Sequence, residues 1–305
     1  MTQNSSNDQS VLQGVSARDI TATVNQTIIN PKGQELRLIY SSPLPDVRHF
    51  QGRKGELEDL LGWLGDMAIS IVGIRGQGGF GKSTLAAKVF TDSEGFAGKV
   101  WIDVRTSTSI TSLAGRALKE LGVPLEQVQA IPDKDLPGRL LRHLQTGRYL
   151  VAIDNMESLL HAEGTWQSGY GAFLQGFQDA GTPSVLLLAS REYPPSYFGW
   201  RQSRWCEVEK GLAPAEGAAL LSALEVEGSD DARETLSAEV QGNPLALSLI
   251  AGWVRNEFKA GSRGVARLEQ SADLYQITGP HRGESGLSVN SVLGWSLARL
   301  GEAQR

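Results

Sequence analysis

Residues 71–86 read IVGIRGQGGFGKSTLA. An apolar run leads into this stretch, five glycines cross it, and an apolar helix start leaves it. Glycine between two ordered elements costs conformational entropy that no core contact returns. Such a cost is offset where bare backbone is itself the functional group. Gly76 to Ser83 fits the pattern G-x-x-x-x-G-K-[ST], and it follows a buried strand and opens a helix, the context that pattern requires. Successive backbone N–H groups can then turn inward around phosphate oxygens, and the helix beginning near Ser83 adds its free donors and dipole. Lys82 is expected to reach the β and γ phosphates of a nucleotide, and the Ser83 hydroxyl to bind Mg²⁺. Gly76, Gly78, Gly79, Phe80, Gly81 and Thr84 complete the expected phosphate-binding loop.

Outward from this loop the chain alternates. FQGRKGELEDLLGWL repeats Leu57, Leu60, Leu61 and Leu64 at helical spacing. Downstream come a strand KVWIDV, helices ITSLAGRALKELG and KDLPGRLLRHLQ, a strand RYLVAID, a helix near YGAFLQGFQDA and a strand SVLLLAS. Strand and helix alternating at this spacing imply an α/β fold of three layers around a parallel sheet. After Lys210 the pattern turns helical in APAEGAALLSALEV, DARETLSAEVQG and PLALSLIAGWVRNEF. The expected divisions are a leader at 1–45, a P-loop nucleotide-binding domain at 46–210, a helical domain at 211–280 and a further helix-containing piece at 281–305 that ends with its apolar face unburied.

Two strand ends carry candidate chemistry. Four apolar residues, Leu150 to Ile153, place Asp154 at the C-terminal end of a buried strand, expected beside the P-loop. A carboxylate there can hold a water of the Mg²⁺ shell. Glu157, three residues on, can polarise an attacking water, and a capping-box role is equally natural. SVLLLASREYPP ends its strand with Arg191, a guanidinium able to read a γ-phosphate or simply to lie on the surface.

The composition is that of an ordinary soluble domain: 40% hydrophobic, 21% charged, formal net charge -5. That balance argues against a broad nucleic-acid-binding face. The single cysteine, Cys206, supports neither a disulfide framework nor a zinc site and fits a reducing cytoplasm. No apolar run has the length of a membrane span, so no membrane partner is expected.

The ordered set FQGR, GQGGFGKSTLA, YLVAIDN, LLLASRE, GLAPAEGAALL, GNPLALSLIAG and SVLGWSLARLG resembles the STAND class of signalling NTPases. Within it the likeness is greatest to the NB-ARC-like ATPases of plant resistance proteins, apoptosome adaptors and bacterial regulators, over residues 50–305. The resemblance implies that Arg53 contacts the base region of the nucleotide, that Lys82 and Ser83 are Walker A, Asp154 Walker B and Arg191 the sensor arginine. It also implies that Pro244 packs near base and sugar, and that SVLGWSLARL opens a winged-helix domain. A plain helix stop and restart explains Gly242-Asn243-Pro244 equally well. Phe50 and Gln51 stand where two apolar residues are expected, and Asn155 where a second acid is expected, which weakens any expectation of fast hydrolysis. The function implied is a switch that ADP holds closed and ATP releases for self-association. A P-loop kinase or metabolic ATPase, and the ATPase module of a transcription regulator, are the competing readings.

The leader contains DITATVNQTIIN, whose alternation of Ile20, Ala22, Val24 and Ile28 predicts a strand. It can pad the edge of the ATPase sheet, or residues 18–30 can recruit an unidentified effector by β-pairing.

Overall fold

The structure is a computed structural model, and it describes residues 25–29, 35–40, 43–104, 109–167, 169–195, 199–200 and 202–257. In chain order it begins with β1 (Asn25–Ile29), β2 (Glu35–Tyr40), α1 (Lys54–Gly65), β3 (Ile71–Gly76), α2 (Lys82–Asp92), β4 (Gly98–Asp103) and α3 (Ile110–Glu120). It continues with α4 (Leu125–Gln129), α5 (Leu136–Leu144), β5 (Tyr149–Asp154), α6 (Tyr170–Asp179), β6 (Val185–Ser190), β7 (Ser203–Val208), α7 (Pro214–Ala223), α8 (Asp230–Glu239) and α9 (Pro244–Glu257).

The continuous apolar runs form the middle of one sheet, ordered β1-β2-β4-β5-β6-β3-β7. All neighbours pair in parallel except β1 with β2. A parallel strand buried on both faces needs apolar residues at every position, and β6 is buried along its whole length. Alternation then feeds two cores. Val100, Ile102, Val151 and Ile153 pack with α3, α5 and α6 on one face. Trp101, Leu150, Ala152, Val72 and Ile74 pack with α1 and α2 on the other. These are the three layers expected. A third core, around Leu221, Val240 and Leu247, belongs to α7, α8 and α9.

Two points differ from expectation. The strand ending in Asp154 is not the neighbour of β3, because β6 lies between them. Strand order is fixed by crossovers over the sheet, and local patterning does not carry it. β7, at one edge, was absent from the sequence pattern because only Cys206 and Val208 are buried on it, with Arg204 and Glu207 exposed. At the other edge β1 and β2 join the sheet, β2 pairing with β4 through Leu38↔Lys99 to Tyr40↔Trp101, so part of the leader pads the sheet edge, one of the two roles expected of it. The remainder of residues 18–30, and residues 258–305 with the expected winged-helix start, lie outside the described residues. Among the described residues no helix is long and apolar enough to cross a membrane.

Candidate nucleotide-binding site

The loop between β3 and α2 sits at the C-terminal edge of the sheet, where parallel α/β folds place their ligands. Gly79 and Gly81 both adopt φ of 84°, a left-handed backbone that disfavours side chains. Gly76 is required for a different reason, since a Cβ there would lie 2.1 Å from the Val208 carbonyl oxygen. Helix α2 starts at Lys82, with Gly81 as its N-cap and no side chain capping it. Its first N–H groups are therefore left for a ligand.

The Lys82 ammonium donates to the Gln77 carbonyl at 2.8 Å, bending across the mouth of the loop. Burial, above all, holds it below the usual lysine range. Ser83 donates its hydroxyl to Asp154 Oδ1 at 2.9 Å. This contact spans β6 because α2 lies across the sheet. Asp154 is 4% exposed. Burial raises its carboxyl from 3.8 to about 6, against the opposing Ser83 hydrogen bond and with the Asp103 charge adding to the rise. A serine hydroxyl and a carboxylate are hard oxygen donors, the set Mg²⁺ takes together with phosphate oxygens. Ser83 and Asp154 thus fit the expected metal.

Glu157 lies in the 3₁₀ turn Met156–Leu159 that follows β5. It makes no capping box: the N-cap of this turn is Asn155, which places Glu157 at the second helical position rather than the third, and no side chain caps the turn. Its carboxylate meets Arg191, whose Nε lies 3.1 Å from Oε1 and whose backbone N–H donates to Oε2 at 3.2 Å. The Arg191 guanidinium in turn reaches the loop, its Nη2 lying 3.2 Å from where a Cβ on Gly78 would stand. Arg191, Glu157 and the glycine loop are thus adjacent.

Arg53 is only 7% exposed. Its Nη2 donates to the carbonyls of Phe80 at 3.0 Å and Lys210 at 2.8 Å, and Nη1 pairs with Glu56 at 3.0 Å. Arg53 thus braces the loop against the connection into α7, a role that a base contact alone does not describe. Glu216 on α7 returns the tie, accepting from the Arg53 N–H at 3.2 Å and the Ala213 N–H at 3.0 Å.

Asn243 caps α9 through Oδ1, which accepts from the Ala246 N–H at 3.1 Å. Pro244 is the first helical residue, as the plain helix-restart reading holds. The same segment also rests on the phosphate loop. The Leu245 N–H donates to the Gly79 carbonyl at 3.3 Å, and Pro244 Cγ lies 3.5 Å from where a Cβ on Gly81 would stand. Beside it opens a cleft of about 250 Å³ lined by Asp46, His49, Phe50, Arg53, Gly81, Thr84, Leu212, Leu220 and Pro244, among others. It adjoins the glycine loop at Gly81 and Thr84. Asp46, His49, Leu212 and Leu220 were not singled out in the sequence, because a cleft between two domains has no local pattern.

Residues 53–174 match the NB-ARC domain family. A probable disease resistance protein of Arabidopsis thaliana is 30% identical over 289 residues, which are 88% of this chain and 27% of that protein. An uncharacterized WD repeat-containing protein of Nostoc sp. is 29% identical over 236 residues, 70% of this chain and 18% of that protein. The crystal structure of a Signal Transduction ATPase with Numerous Domains from Pyrococcus horikoshii, which has a tetratricopeptide repeat sensor, aligns with a TM-score of 0.52 at 23% identity. It covers 69% of this chain and 31% of that one, and at that identity the likeness is one of fold. The chain thus spans less than a third of each of these proteins.

Proposed function

Residues 53–174 form an NB-ARC domain, and from that premise we propose that the chain is a nucleotide-dependent signalling switch binding ADP or ATP with Mg²⁺. One observation carries this reading: the start of α9 is seated on the phosphate loop through Leu245 and Gly79. A ligand that orders the loop thereby biases the placement of the helical unit, which is what a switch requires. Phosphates lie on the loop amides and Lys82, and the nucleoside lies in the cleft bounded by Arg53 and Pro244. Mg²⁺, held on the Ser83 and Asp154 side, supplies charge neutralisation between the phosphates.

The γ-phosphate of ATP competes with Glu157 for Arg191. Once Arg191 turns to it, the Glu157 carboxylate is released to polarise a water. Hydrolysis is slow in this reading because Asn155, which cannot act as a base, follows Asp154. ATP then favours self-association through the nucleotide-binding domain, and ADP favours the closed arrangement. A cytoplasmic setting is consistent with the lone buried cysteine.

Calorimetry with ADP and ATP on the wild-type chain and on Lys82→Ala tests the reading. We expect the variant to lose about 100-fold in affinity for both, as removal of a charge-assisted contact to phosphate dictates. Unchanged affinity in the variant ends the P-loop assignment. Sedimentation with ADP against a non-hydrolysable ATP then tests self-association.

A further inference from the structure

Two carboxylates end the strands beneath the phosphate-loop helix. Side chains alternate along a strand, so their faces follow from their neighbours. On β4, Val100 and Ile102 enter the core away from α2 and Trp101 enters the core against it. Asp103, two residues past Trp101, therefore falls on the α2 side. On β5 the same parity sets Leu150, Ala152 and then Asp154 on that side. Asp103 and Asp154 are moreover direct partners in the parallel register.

Asn155 ties the two together. Its backbone N–H donates to Asp154 Oδ1 at 2.9 Å, and its side-chain Nδ2 donates to Asp103 Oδ1 at 3.0 Å. To do so it holds φ at 62°, a left-handed conformation that asparagine tolerates better than most residues. The residue standing where a second acid is expected is thus a strut to a carboxylate on the next strand. Glu157, the other acid nearby, is engaged by Arg191.

We propose that Asp103 supplies the second carboxylate of the nucleotide site, as a positioning residue that holds a water of the Mg²⁺ shell beside Asp154. This rests on the reading of the P-loop as a Mg²⁺-nucleotide site. Mg²⁺ gives up water reluctantly and is bound through one or two carboxylates, so its remaining waters need acceptors at fixed places. Ser83 and Asp154 form one side of that arrangement. Asp103 lies one strand further on, on the same face, with its Oδ1 accepting from the Asn155 amide. The bland alternative is a polar link that only joins β4 to β5.

The test is a fluorescent-ADP titration of the whole chain with Mg²⁺, run beside the same titration in EDTA. For Asp103→Asn we expect the Mg²⁺ concentration giving half the metal-dependent gain in affinity to rise about tenfold, the loss usual for an outer-shell partner. Affinity in EDTA should stay within about twofold of wild type, since direct phosphate contacts are untouched. Asp103→Glu should recover part of the shift. A melting temperature lowered in Asp103→Asn with an unshifted Mg²⁺ dependence overturns the proposal and leaves the polar link. Should Asp103→Asn not fold, Asn155→Ala, which keeps the carboxylate and removes its strut, is titrated instead. A rise of about threefold is then expected, and no rise overturns the proposal. A wild-type chain that binds no fluorescent ADP overturns the P-loop reading and the proposal with it. Wild-type binding with unshifted variants overturns Asp103 alone.

Discussion

Burial holds the Asp154 carboxyl at about 6 in the folded chain against an ordinary 3.8. Below the lower value it is protonated in both folded and unfolded states and costs nothing. Between the two values the folded state binds the proton more tightly, so stability falls as pH rises through this window. At pH 7 the full penalty is present, about 3 kcal/mol. In EDTA, Asp154→Asn should therefore be more stable than wild type at pH 7 by roughly that amount, and the two should converge below about pH 4. Denaturant melts at several pH values check this, and a variant less stable at pH 7 removes the burial argument. The Arg191–Glu157 pair predicts a split between nucleotides. Arg191→Ala should weaken ATP about tenfold more than ADP, the worth of one charge-assisted contact to the γ-phosphate. Glu157→Gln should tighten ATP by about threefold relative to ADP, a small effect because Arg191 is well exposed and screened. Equal changes for both nucleotides would mark the pair as structural. The loop carrying Lys82 and Ser83 was legible from its spacing, and the place of Asp154 at a strand end from the apolar run before it. The engagement of Glu157 by Arg191 was not, since 34 residues separate them and only the sheet order brings them together.

At the scale of elements, α2 is fixed at both ends. Its N-terminus faces the phosphate site, and its C-terminus is held by Lys99, a lysine at the start of β4 with 3% exposure. The ammonium donates to the carbonyls of Phe90 at 2.6 Å, Thr91 at 3.2 Å and Ser93 at 2.9 Å. These are carbonyls that a helix end leaves without partners, and a cation there also complements the helix dipole. Burial pushes this lysine down to about 8, so it still carries its charge at neutral pH. Lys99→Met keeps the stem and removes the donor, leaving buried carbonyls unpaired at a cost of about 3 kcal/mol. A thermal melt should show a clear fall, and an unchanged melting temperature would mean water replaces the ammonium. Helix α2 itself was readable from its apolar period. Lys99 was not, because a lysine opening a strand ordinarily reads as a solvent-facing charge. The same limit hid β7, whose exposed positions blur the apolar signal. The order of β3, β6 and β5 was hidden for a different reason: it is set by where helices cross.

The whole molecule turns on how the helical unit meets the phosphate loop. Two ties join them on the Arg53 side, through Phe80 and Lys210 and through Glu216. A third is the α9 start, where the Leu245 N–H reaches Gly79. Beside it Asn243, 1% exposed, has its Nδ2 buried with no partner among the described residues. A polar group in that condition costs about 1–3 kcal/mol, so the docked contact is held below its full possible stability here. The proline and asparagine of GNPLAL were legible as a helix start, but a helix start does not announce what it rests on. If nucleotide stabilises the docked arrangement, ADP at 100 times its dissociation constant should lower the undocked population about 100-fold. Cleavage at the connection around residues 209–213, under conditions where reclosing is fast, should slow by the same factor. Leu245→Asp sets a carboxylate against the loop beside Gly79 and should speed cleavage without ADP. ADP and ATP affinity should fall together, because both nucleotides need the docked cleft. Limited proteolysis followed by mass spectrometry reads both effects. Wild-type cleavage indifferent to ADP, in a chain shown by calorimetry to bind it, would mean that the loop and the helical unit move independently, and the switch would have to lie elsewhere in the fold.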